Sequence, residues 1–233
     1  MDEMTLLSPS ELAGLIDHTL LRPDAEVGDI SRLCEEALVF DFATVCVNPV
    51  NVRQCADHLS NSGVGVCTVA GFPLGAVSTV EKVAAVQEGL LDGAMEFDMV
   101  INLSAFKSGD VTAAVSDIKA VVAAAESNSV KVIIEACLLN DDEKVTAAKA
   151  VVDSGAHFVK TSTGFSTGGA TLSDVKLLRE TVGEEFGVKA SGGIMGFGHA
   201  VSLVEAGASR IGASASVAIV TGPPLTNIDK RSV

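Results

Sequence analysis

The chain contains neither tryptophan nor tyrosine, and aromatic residues make up only 4% of it. It therefore lacks the usual ring platforms for stacking bases or sugars. No apolar run reaches the roughly 18 residues needed to span a bilayer. The first ten residues, MDEMTLLSPS, are acidic where a secretory leader is basic. A soluble, cytoplasmic protein is expected. The five cysteines, at 34, 46, 55, 67 and 137, include no CxxC pair, and an odd count without a leader argues against a disulfide framework or a zinc site. Basic residues are scarce: 16 Lys and Arg stand against 30 Asp and Glu, a formal net charge of −14. Such a surface repels polyphosphate backbones and anionic membranes, so nucleic-acid and membrane partners are disfavoured and any phosphate contact must be local. The same excess of carboxylates suits a high-salt habitat as well as an ordinary acidic enzyme.

What is present is 233 residues, 48% of them hydrophobic, enough for one large core and one domain over 1–233. Ser8-Pro9-Ser10-Glu11 reads as a helix start. Strand-like runs then follow at Ile16–Leu20, Ala43–Val47, Val64–Val69, Glu96–Ile101, Val130–Ala136, Ala156–Lys160, Val188–Ser191 and Ser209–Gly212, separated by helical periodicity such as Val27–Leu38. Eight βα units in order describe a (β/α)8 barrel, a TIM barrel with a short helix before strand one. An open doubly wound sheet is the runner-up. No GxGxxG follows the first strand, however, and the polar residues sit at the ends of many strands, which a barrel brings together.

In a barrel the chemistry collects at the C-terminal ends of the strands. Three charges interrupt apolar runs there: Asp98 in FDMVI, Lys160 at the end of FVK, and Lys189 in GVKASGG. A charge inside such a run is dry and requires partners. A self-neutralising Asp–Lys pair would explain one of each, but two lysines with one aspartate suggest more. A free lysine has a pKa of about 10.4, so few amines are nucleophilic at neutral pH. A second cation nearby lowers that value, and Lys189 could do this for Lys160. The activated amine would form a Schiff base whose iminium draws electrons from an adjacent carbon–carbon bond, with Asp98 shuttling protons. Two glycine-rich turns, Ser191-Gly192-Gly193 and Gly212-Ala213-Ser214, follow strands seven and eight, where barrels of this type hold a phosphate.

These residues lie in segments that occur in a known order. IDHTLL at Ile16, VCVNP at Val45, GFPLGA at Gly71, FDMVIN at Phe97, KVIIEACLL at Lys131, FVKTSTGF at Phe158, VKASGGI at Val188 and RIGAS at Arg210 span almost the whole chain. In them the chain resembles the deoxyribose-phosphate aldolase family, class I aldolases that reversibly cleave 2-deoxy-D-ribose 5-phosphate to glyceraldehyde 3-phosphate and acetaldehyde. The resemblance implies that Lys160 is the Schiff-base nucleophile, Lys189 its pKa-lowering neighbour and Asp98 part of the proton relay. It also implies that Asp17 and Cys46 line the substrate cavity, that Gly192, Gly193 and Ser214 bind the phosphate, and that the enzyme can form a homo-oligomer. Thr163 is a candidate substrate contact. No cofactor is implied, and the four histidines, at 18, 58, 157 and 199, show no metal-ligand spacing with carboxylates.

The chain departs from the family at the phosphate end. Met195 stands where members often carry Arg, Ala215-Ser216 replaces a more usual Ser-Gly, and the C-terminal LTNIDKRSV has no tyrosine. Weak phosphate affinity is the expectation. Another Schiff-base aldolase or transaldolase, or a non-catalytic phosphosugar-binding barrel, are the competing readings.

Overall fold

Polar caps set where the helices begin. Ser8, Ser78 and Asn140 each accept a hydrogen bond from the backbone N–H three residues on, and Glu11, Glu81 and Glu143 reciprocate, so three helices open on complete capping boxes. The computed structural model describes residues 7–222. The tyrosine-free C-terminal segment therefore lies outside the described residues. The helices are α1 (Pro9–Ala13), α2 (Val27–Phe40), α3 (Val52–His58), α4 (Thr79–Asp92), α5 (Leu103–Lys107), α6 (Val111–Ala124), α7 (Asp141–Asp153), α8 (Leu172–Val182), α9 (Phe197–Glu205) and α10 (Ser216–Thr221). Between them run β1 (Ile16–Leu20), β2 (Thr44–Val47), β3 (Gly65–Ala70), β4 (Glu96–Val100), β5 (Ser129–Ile133), β6 (Phe158–Lys160), β7 (Gly187–Ser191) and β8 (Arg210–Ala213).

The eight strands pair in chain order, all parallel, and β1 closes on β8. The expected (β/α)8 barrel with its short leading helix is what forms. Strand parity then sorts the side chains. Val45, Val47, Phe97, Met99, Val130, Val132, Val159, Val188, Ala190 and Ile211 point outward into the large core shared with the helices. The intervening positions point inward, where Cys46, Cys67 and Val69 join Leu21 and Phe72 in a separate, smaller cluster. Seven of the inward positions, Asp17, Glu96, Asp98, Lys131, Lys160, Lys189 and Arg210, are charged, and they build the site.

One boundary differs in a way that matters. The fifth strand, expected to run to Ala136, ends at Ile133, because Glu135 takes a left-handed backbone (φ 50°) and Ala136–Leu138 forms a 3-10 turn. That conformation is uncommon for a residue with a Cβ. It turns the Glu135 carboxylate onto the neighbouring loop instead of along the strand.

Candidate active site

Inside the barrel the charges form a continuous stack. Asp98 Oδ2 accepts hydrogen bonds from both Lys160 Nζ and Lys189 Nζ at 2.6 Å, so the two amines are at most twice that distance apart. Its other oxygen accepts from Lys131 Nζ at 3.0 Å and from the Cys67 thiol at 3.3 Å. Lys189 also donates to Asp17. Lys131 Nζ lies 2.5 Å from Glu96 Oε2 and 3.4 Å from Asp17 Oδ2. Arg210 closes the bottom, with Nη1 2.6 Å from Asp17 Oδ1 and Nη2 3.3 Å from Glu96 Oε1. Four cations thus face three carboxylates in a largely buried interior.

Burial and charge oppose one another here, and charge wins. Burial by itself would push the Asp98 carboxyl up, but Lys131, Lys160 and Lys189 together hold it well below the usual carboxylate range. Burial works to deprotonate Lys189, yet Asp17 and Asp98 reverse that and raise its pKa above that of a free lysine. Asp17 is likewise held low against burial by Lys131, Lys189 and Arg210. Lys189 is therefore a fixed cation and Asp98 a fixed anion. The Cys67 thiol is pushed well above its usual pKa, first by burial, and stays protonated.

Above the stack opens a cavity of about 350 Å³ at the C-terminal ends of the strands. Lys160 lines it, as do Thr163, Gly192, Gly193 and Ser214. Asp98 and Lys189 do not, since they lie beneath the floor at 0% exposure. Asp17 and Cys46, expected to line the cavity, also lie below it and are fully buried. Asp17 is only the second residue of β1, one inward layer beneath Thr19, which does reach the cavity. Cys46 packs beside its register partner Cys67 in the inner apolar cluster.

The loops around Lys160 are tied to each other. Thr163 donates its backbone N–H to Glu135 Oε1 at 3.2 Å and its hydroxyl to Glu135 Oε2 at 2.5 Å, and the same hydroxyl accepts the Phe165 N–H at 3.1 Å. The donors of Thr163 are thus already committed to the loop, which leaves its hydroxyl at most an acceptor for a ligand. Ser191 Oγ donates to Ser162 O at 2.5 Å, and Ala170 N to Gly192 O at 3.1 Å. A Cβ at Gly169 would meet Gly192 O at 2.2 Å, so only glycine permits this approach. Gly192 and Gly193 both have left-handed backbones, with φ 89° and 75°. Ser216 donates its hydroxyl to Ala213 O at 2.8 Å, which leaves Ser214 as the hydroxyl of that turn facing the cavity.

Sequence reasoning missed Lys131, Glu96, Arg210, Cys67 and Glu135. The available signal was strand parity: Lys131 stands directly opposite Asp98 in the register of β4 and β5.

The model of the DeoC/LacD family aldolases matches residues 2–220. The chain belongs to this family. A deoxyribose-phosphate aldolase of Exiguobacterium sibiricum is 55% identical over 212 residues, covering 91% of this chain and 96% of its own. One from Brevibacillus brevis is 54% identical over 211 residues, covering 91% and 96%. The tetrameric deoxyribose phosphate aldolase of Aeropyrum pernix superposes with a TM-score of 0.86 at 36% identity, covering 92% of this chain and 91% of that one.

Proposed function

We propose that the protein catalyses the reversible aldol cleavage of 2-deoxy-D-ribose 5-phosphate to D-glyceraldehyde 3-phosphate and acetaldehyde through a Schiff base on Lys160. The observation that carries the assignment of roles is that Lys160 opens on the cavity while its amine lies 2.6 Å from a carboxylate oxygen that a second, buried lysine shares. Attack on the sugar's C1 carbonyl requires an amine without its proton. Lys189, held protonated by Asp17 and Asp98, places a fixed positive charge beside it, and Asp98, 2.6 Å from the Lys160 amine, is the carboxylate through which that amine's proton leaves. Loss of water from the carbinolamine leaves an iminium. As the C3 hydroxyl gives up its proton, the C2–C3 bond breaks, its electron pair passes to the iminium and glyceraldehyde 3-phosphate departs. Protonation of the resulting enamine at C2, followed by hydrolysis, releases acetaldehyde and the free amine.

Asp98 does not line the cavity, so its part in proton movement runs through the Lys160 amine or through water. A carboxylate held this far below its normal pKa stores a proton poorly and passes it on at once. Gly192, Gly193 and Ser214 receive the phosphate, while Asp17 orients Lys189. The reaction needs no metal, because the electron sink is covalent. We place the enzyme in the cytoplasm, and among the described residues no helix is long and apolar enough to cross a membrane. Assembly into a homo-oligomer, by analogy with the Aeropyrum relative, is checked by sedimentation. Borohydride reduction in the presence of acetaldehyde should leave a two-carbon adduct on Lys160, located by peptide mass. An unmodified Lys160, or an adduct elsewhere, would refute the mechanism.

A further inference from the structure

The chain carries a net charge of −14, yet among the described residues the only charged side chains lining its main cavity are Lys160 and Arg22. Lys160 is consumed by the imine. Arg22, just beyond the end of β1, is then the single permanent cation on the wall, and it lines the cavity together with Gly193, Met195 and Ser214. Its side chain is 44% exposed. Nη1 lies 2.9 Å from Asp24 Oδ1 and donates to Asp24 O at 2.9 Å, and Nη2 donates to Asp29, while Nε–H makes no hydrogen bond among the described residues. Ion pairs this exposed are weak and readily exchanged, and a guanidinium fork matches phosphate oxygens in a bidentate way.

We infer that Arg22 is the specificity-determining cation that receives the substrate's phosphate from the β1 side of the cavity, in place of any cation at position 195. The inference rests on the reaction proposed above. Asp29 competes with the phosphate for the same guanidinium, so the pair sets how strongly phosphorylated sugars are preferred.

The test is the ratio of kcat/KM for 2-deoxy-D-ribose 5-phosphate to that for plain 2-deoxy-D-ribose, measured on the full chain. Arg22→Met should lower the ratio at least tenfold, mainly through KM for the phosphorylated sugar. Arg22→Lys should keep part of it, because a point charge lacks the fork. Asp29→Asn, which retains an oxygen for the Glu26 N–H at the start of α2, should raise the ratio by freeing Arg22. Raising the salt concentration should compress the difference between wild type and Arg22→Met. A ratio unchanged in Arg22→Met, or a parallel loss on both sugars, overturns the assignment, the latter by reducing Arg22 to a structural role. A wild-type chain that cleaves neither sugar overturns the proposed function and this inference with it. Cleavage of both sugars with a flat ratio overturns only the role of Arg22.

Discussion

The inside of the barrel and its rim treat charge in opposite ways. Inside, Lys131, Lys189 and Arg210 are locked against Asp17, Glu96 and Asp98, and Lys131, Lys189, Asp17 and Asp98 are wholly buried. At the rim, Arg22 shares two carboxylates in water and Met195 stands 70% exposed with no charge at all. A dry charge without a partner is costly, so the interior tolerates few alternatives. A wet one costs little, so the rim can change. On the reaction proposed above, the stack sets the reaction type and the mouth the substrate preference.

The largest effect should come from the one residue the two regions share. Lys160→Met should cut turnover by at least about a thousandfold, the scale on which losing a nucleophile registers. It should also abolish the borohydride adduct while leaving the fold intact, because Asp98 keeps Lys131 and Lys189. Residual Schiff-base turnover in that variant would move the chemistry to another amine. Next comes Lys131→Met, which leaves Glu96, Asp17 and Asp98 short of a fully buried cation. A loss of about 3–5 kcal/mol in urea unfolding is expected, as for breaking a buried ion pair. If Lys131→Met instead unfolds like wild type, the interior is more hydrated than its burial indicates.

A middle-sized effect should come from Glu135→Gln. It keeps an acceptor for the Thr163 hydroxyl but loses the charge-assisted bond, which is worth about 1–3 kcal/mol. The expected outcome is a severalfold lower kcat/KM on both sugars with their ratio preserved, since the loop holds Lys160's surroundings and not the phosphate. A selective loss on one sugar would place Thr163 in substrate discrimination after all.

The pH dependence of stability should also divide the two regions. Asp98 has a lowered folded pKa, so its contribution is present above about pH 4 and lost only as pH falls through the folded value. Lys189 has a raised folded pKa, so its contribution is complete below about pH 10 and lost as pH rises further. His18 behaves otherwise. Burial lowers its pKa against the opposing hydrogen bond that His18 Nε2 donates to the Glu36 carboxylate, so the unfolded chain takes up its proton first and stability falls as pH drops below about 6.5. Thermal melts should be level from about pH 7 to 8, above which the unfolded chain gives up the Cys67 proton first, and His18→Gln should weaken the decline just below that range. A decline of the same slope in His18→Gln would assign it to other groups.

How legible each region was in the sequence follows from the same contrast. Asp98, Lys160 and Lys189 stood out because each interrupts or ends an apolar run, and burial makes such interruptions meaningful. Lys131, the third residue of β5, interrupts its apolar run as openly as Asp98 does, whereas Glu96 and Arg210, nearly as buried, are each the first residue of their strands. A charge there looks like an ordinary solvated strand end. Only the register, which sets Asp98 opposite Lys131 and Lys189 opposite Arg210, turns them inward. Depth misplaced Asp17: its type and motif marked it as functional, yet its height in the barrel depends on how β1 staggers against β2 and β8. Glu135 was hidden by its left-handed backbone, which no local propensity indicates in VIIEA. Nothing local marks Arg22, two residues past the end of β1, because what it faces is contributed by loops nearly the length of the chain away.

The smallest predicted effect bears on the rim alone. Met195→Arg adds a cation to the wall of the cavity that Arg22 also lines. Because position 195 is largely exposed, solvent screens the new charge, and a gain of about 1 kcal/mol at most is expected. KM for the phosphorylated sugar should then fall by no more than about fivefold, with kcat and the plain sugar little affected. The double variant Arg22→Met with Met195→Arg should recover part of the phosphate preference that Arg22→Met loses, because the dianion needs a cation nearby more than it needs that cation in one place. No recovery would mean that the fork of Arg22, and not merely its charge, is what the cavity supplies, and the rim would then be as exacting in geometry as the interior.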